Sequence, residues 1–476
     1  MEPALLWHLW RAAWVDSTRL MDRTRTEESP LERLLAWEAV FASGVLFDGL
    51  TDSRGRQKTA RQRIAAELDE QTDTDGTPHA DMLPILPAWF ASLVRATTWA
   101  KLGEVRLWNA KASGRFDELV RAVATMTGPG GQVALSAEAA SEVDLRPLLA
   151  EAVRRSTQKA ENPAARLVSR LQKAEAVPTV PGPRDKSRLR KADKSAPAVL
   201  QSDWAKLVIA RSRWKPDSDL LAVAHQSAIP SIEFHAFGRR VLAGEWGLRV
   251  LIDGDELALK PDCDAVSWFS DSDADYLELQ WSAENGLVLC RQALLSRGDH
   301  QLILADCIST LGRPESAIEV TTTLPLQPGI TADAKRPLRE LRLDAQGLPL
   351  RCFPACLPME RIQNAGGSFE CKTGELVLTQ SGIGGVYAVA VFDWHPRRRD
   401  ALADWRTLTV TQDGRRLSQA EAAGVRLRIG KRQLLMYRSL DGSKAARAVL
   451  GYHHELESAI GYFNSDGEVE PLVIVE

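Results

Sequence analysis

LVLCRQALLSRGDHQLILADC, residues 287–307, is two apolar runs joined through SRGDH. Each run reads as a strand, because successive side chains of an extended chain point to opposite faces. Leu287, Leu289 and Arg291 then share one face, and Val288, Cys290 and Gln292 the other. Gly298-Asp299 supplies ordinary turn chemistry, so the chain comes straight back. An Arg-Gly-Asp in that setting reads as a hairpin turn rather than as an adhesion signal.

Working outward, the same period of two runs from about residue 200 to the end. RVLIDGDELAL (249–259) sets Asp253-Gly254 between apolar segments, a strong short hairpin signal. YLELQW (276–281) alternates, and ten or more further strands follow at short intervals. Together they predict a large antiparallel sandwich over 200–476. Upstream, residues 1–177 read as a helical domain of six helices, with a possible strand at 105–108. Trp7, Trp10 and Trp14 lie on one helical face and read as core. Ser29-Pro30 with Glu32 marks a helix start. Between the halves, PTVPGPRDKSRLRKADKSAPAV (178–199) is rich in proline and charge and reads as a disordered basic linker. The fold class expected is therefore α+β multidomain: an N-terminal helical domain followed by a large antiparallel β-supersandwich.

The chain has 476 residues, 44% of them hydrophobic, and a net charge of −3, so no whole-molecule field points to nucleic acid or an acidic membrane. No aromatic is interleaved with the linker's basic residues, which argues against nucleic acid there too. No apolar run reaches the roughly 18 residues of a membrane span. MEPALLWHLWRAAW lacks the parts of a signal peptide, which predicts a cytoplasmic location. All six cysteines lie in the C-terminal half; Cys352, Cys356 and Cys371 form C-x3-C-x14-C, without the second pair of a zinc knuckle. There is no Walker A, G-x-S-x-G or H-E-x-x-H sequence, and no cofactor is expected.

WFSDSDADYLELQW (268–281) together with residues 287–307 resembles the C-terminal β-domain of heparinase II/III-like proteins. WEAVFASGVLFDGLTDSRGRQ (37–57), RQLLMYRSLDGSKAARAVLGYH (432–453) and FNSDGEVEPLVIVE (463–476) are similar, more closely, to a planctomycete group of that family with no established activity. The resemblance implies a β-supersandwich and kinship to lyases that cleave uronic-acid polysaccharides by β-elimination. In those enzymes Tyr and His serve as base and acid, and an N-terminal α/α-toroid supplies the tyrosine and a histidine. This chain departs from that pattern. Its five tyrosines begin at Tyr276, and its helical half holds only His8 and His79. The expectation is a non-catalytic member that binds or scaffolds an acidic polysaccharide or a protein partner. The alternative is a polysaccharide lyase with a rearranged site. Candidate ligand-binding residues are His235, Arg239 and Arg240 in IEFHAFGRR, and Arg397, Arg398 and Arg399 in HPRRR, where Arg forks suit carboxylate and sulfate groups. Some relatives hold a metal through His and Asp; His235 and Asp306 would be that pair here, with no third ligand in view.

Overall fold

A computed structural model describes residues 3–22, 29–136, 143–157, 162–184, 198–261, 263–281, 286–334, 337–361, 366–464 and 466–476. The chain divides into two compact units: residues 1–176 with 214–216, and residues 177–213 with 217–476. Most of the expected linker, residues 185–197, lies outside the described residues, and a strand begins at Ala198.

The first unit is helical, with seven α-helices among its described residues. Helix Pro30–Leu46 starts as expected: Ser29 Oγ accepts from the Glu32 N–H and Glu32 reaches back to the Ser29 N–H, a capping box. Its Val40 and Phe41 are buried in the unit's core, as are Trp89, Phe90 and Leu93 of helix Leu86–Leu102. Three expectations need correction. Residues 105–108 form no strand. The helices number seven among the described residues, not six, because residues 144–176 hold two, Arg146–Arg155 and Pro163–Leu171, the second started by an Asn162 cap and Pro163. The Trp stripe is not core: Trp7 and Trp10 are 63% and 50% exposed, Trp10 and Trp14 meet Phe47 edge-on, and Trp14 also lies under the Arg56 guanidinium, 3.4 Å from its ring centre.

The second unit is all-β, and every strand pairing is antiparallel. Its central sheet has eight strands, with Leu287–Ser296 and Gln301–Thr310 between Ala274–Trp281 and Gly385–Asp393. The two strands of the opening stretch pair in unbroken register from Leu287↔Thr310 to Ser296↔Gln301. Both are buried along nearly their whole length, on both faces. Two five-stranded sheets account for this. Arg291 bonds the Trp246 and Gly247 carbonyls, and its partner Asp306 accepts from Thr322, so that face meets the sheet containing Gly247–Ile252 and Ala317–Pro325. Cys290 and Gln292 touch Arg438 and Ser458, so the other face meets the sheet containing Arg432–Ser439 and Ser458–Phe463. The result is a three-layer stack in which Arg291, Gln292 and Asp306 of the middle strands find partners in the layers on either side.

A further five-stranded meander, Ala198–Ser202 to Arg239–Glu245, precedes these layers in sequence, and a four-stranded sheet covers the outer side of Arg432–Ser439. The hairpin at Asp253-Gly254 forms as expected, with φ of 54° and 93° at its two central residues, the mirror-image turn that matches strand twist.

Candidate functional site

The Arg297-Gly298-Asp299 turn is a structural knot. The residue in the left-handed region is His300, at φ 52°, not Gly298 or Asp299. Arg297 folds back into the protein: its Nε donates to Asp275 Oδ2 at 2.8 Å, and its Nη2 donates to Ser270 Oγ at 3.0 Å and to Asp275 Oδ1. Asp299 accepts from Arg398 and Arg432. Behind the turn, His300 and Asp219 are both fully buried, with Nδ1 2.7 Å from Asp219 Oδ2. A carboxylate can only accept, so Nδ1 carries the proton, and the buried His300 Nε2 is left without a hydrogen-bond partner among the described residues. Asp219 Oδ1 also accepts from the Phe237 N–H and the Trp394 indole, at 2.8 and 3.0 Å.

Beside the turn opens a cleft of about 400 Å³, lined among others by Asp271, Asp273, Asp299, His395, Arg432 and Tyr462. The Arg432 guanidinium sits 3.6 Å from the centre of the Tyr462 ring. Tyr462 donates to Gln301 Oε1 at 2.6 Å, and burial drives its pKa upward. His395 Nδ1 accepts from the Arg397 N–H. Burial, reinforced by the neighbouring Arg398 charge, lowers the His395 pKa from 6.5 to about 3. The unfolded imidazole takes up a proton near pH 6.5 and the folded one only near pH 3. This group therefore contributes stability that is present above pH 6.5 and is lost as the pH falls toward 3. His454, lowered to about 4 by burial, acts in the same direction. Urea unfolding at several pH values should show stability falling below pH 6.5, with a shallower fall in a His395→Asn variant. An identical slope for the variant would remove His395 as a source.

The six candidate residues separate into two groups. His235 is buried and its Nε2 lies 2.7 Å from Glu233 Oε1; Arg240 pairs with the other oxygen of the same carboxylate. Arg239 is also buried, its Nε donating to the Gln346 carbonyl at 3.4 Å. Arg398 is buried between Asp393, at 2.7 Å, and Asp299, so it is a tie across the turn and not a free ligand-binding fork. Arg397 and Arg399 are exposed. His235 and Asp306 have different partners, Glu233 and Arg291, and no group of three metal-binding side chains occurs among the described residues. All six cysteines are free thiols.

The tyrosines are the groups on which elimination chemistry would depend. All five have a pKa raised by burial. Tyr276 donates to Glu278 and Tyr387 donates to Gln292 Oε1, deep between layers.

Solved structures share this architecture. A mutant of heparan sulfate lyase HepC from Pedobacter heparinus matches with a TM-score of 0.64 and 13% identity, over 92% of this chain and 71% of that one. The same organism's HepC gives 0.61 and 11%, over 92% and 70%. The heparinase III BT4657 gene product gives 0.61 and 10%, over 89% and 68%. The fold is that of heparan sulfate lyases. No protein-family model and no curated protein matches the chain. At these identities the likeness is one of fold, and what the site does rests on its own residues.

Proposed function

We propose that this chain is a non-catalytic protein of heparinase II/III-like fold, related to the planctomycete group of that family. In this proposal it binds an acidic polysaccharide through exposed arginines of its β unit, Arg397 and Arg399 among them. The observation that carries it is the placement of the tyrosines. None precedes Tyr276, and burial raises the pKa of each, opposite to what a proton-abstracting phenolate requires. In this reading His235, Arg239 and Arg240 are structural: Glu233 holds both His235 and Arg240, and Arg239 is buried. A cytoplasmic location fits the six free thiols.

One observation favours a second reading, a lyase with a rearranged site: the turn cleft brings His395, Arg432 and Tyr462 to one surface. Incubation with heparan-, chondroitin- and alginate-type polymers decides between the two. The expected result is no gain in ultraviolet absorbance from unsaturated uronate over a heat-killed control. A gain abolished by Tyr462→Phe would establish the lyase instead.

A further inference from the structure

Several buried arginines of the β unit are paired with carboxylates. Arg291 is matched to Asp306, Arg297 to Asp275, Arg351 to Glu340 and Arg447 to Asp441, while Arg398 and Arg438 each have two carboxylates. On one strand pair three arginines crowd around a single carboxylate. Strand Ala403–Leu408 is the edge of its five-stranded sheet and pairs with Ala422–Ile429. In that register Arg406 stands directly opposite Arg426, and Arg428 opposite Asp404. Trp405, Val425, Leu427 and Ile429 are buried in the core, so alternation sends the three arginines and Asp404 to the other face. There Arg426 and Arg428 both pair with Asp404, and Arg406 lies 3.9 Å from it. Three guanidinium groups share one carboxylate.

Like charges directly opposite one another weaken a strand pair, so fold stability does not favour Arg406 facing Arg426. Charged side chains do guard sheet edges. Edge protection, however, accounts only for Arg406; Arg426 and Arg428 lie on the second strand. Arg406 and Arg428 are 65% and 55% exposed, whereas Arg426 is held close to the sheet, its Nε buried without a hydrogen-bond partner among the described residues. The charges are spaced about 7 Å along a strand and about 5 Å across the pair, on rigid backbone.

We propose that this arginine ladder, Arg406, Arg426 and Arg428, is a binding face for a linear polyanionic glycan carrying sulfate or carboxylate groups. The proposal rests on the reading that the β unit binds an acidic polysaccharide, and it names a surface outside the turn cleft and the Arg397 cluster. Planar forks match carboxylate and sulfate oxygens two at a time. The strands carry one aromatic, Trp405, and it is buried; a nucleic-acid face would present rings for bases to stack on.

The test is a titration of the full chain with a size-defined fluorescent heparin oligosaccharide, repeated with a single-stranded oligothymidylate of equal charge. Arg426 is left intact because it anchors Asp404. Arg406→Ala/Arg428→Ala is expected to lose roughly tenfold in heparin affinity with an unchanged melting temperature, and Arg406→Lys/Arg428→Lys to lose less. Loss confined to an Arg397→Ala/Arg399→Ala variant overturns the ladder and leaves the acidic-polysaccharide reading in place. Absence of any heparin binding by the parent protein overturns both. Tighter binding of oligothymidylate than of heparin, lost in the ladder variant, overturns the glycan assignment.

Discussion

Asp306→Ala will destabilise the β unit by about 3–5 kcal/mol, because it strands a charge in the middle layer. Arg291 is fully buried and Asp306 nearly so, with Nε 2.6 Å from Oδ1. Arg291 also donates to the Trp246 and Gly247 carbonyls, and its guanidinium lies 4.2 Å from the Trp246 ring centre. Thr322 donates to the same aspartate from the neighbouring sheet. Removing the carboxylate leaves a fully buried guanidinium without the carboxylate it pairs with. Two apolar residues of similar volume remove both charges together, so Arg291→Met/Asp306→Leu should be less destabilised than Asp306→Ala alone. Urea unfolding followed by tryptophan fluorescence measures both. A loss below about 1 kcal/mol for Asp306→Ala would mean that water reaches this layer.

How far these features can be read from sequence follows from the range of the interactions that make them. The parity of Leu287 to Gln292 is local, and the structure sends Arg291 to one layer and Cys290 and Gln292 to the other. Arg297 reads as a turn residue because its partner, Asp275, lies 22 residues upstream on another strand. HPRRR reads as three arginine forks open to a ligand, yet Arg398 is buried, with Asp393 only five positions earlier. One signal was present for His235: Glu233 lies two residues before it, on the same strand face, and Arg240 comes shortly after the turn. The ladder shows in sequence only as alternation in DWRTL and VRLRI; nothing short of the strand register places Arg406 against Arg426. The Trp stripe misled because helical periodicity identifies an apolar face without identifying what covers it.

The second large effect is expected at Asp219, where two substitutions should behave differently. This fully buried carboxylate accepts from the Phe237 N–H, the Trp394 indole and His300 Nδ1. It thereby ties the hairpin loop at Phe237, itself at φ 46°, to the His300 turn and to the end of strand Gly385–Asp393. Asp219→Ala orphans three buried donors at about 1–3 kcal/mol each, and since such losses do not add fully, about 3–5 kcal/mol is expected. Asp219→Asn keeps an oxygen for Phe237 and Trp394 but turns an NH₂ toward His300. The imidazole can answer by moving its proton from Nδ1 to Nε2, which has no partner to lose. Nδ1 then accepts, and the cost falls to roughly 1–2 kcal/mol. Unfolding midpoints give the two energies, and the ¹⁵N shifts of His300 should show its two ring nitrogens exchanging roles in Asp219→Asn. Equal destabilisation by Ala and Asn, with unchanged ¹⁵N shifts, would rule out the Asp219–His300 pair as the tie between hairpin and turn.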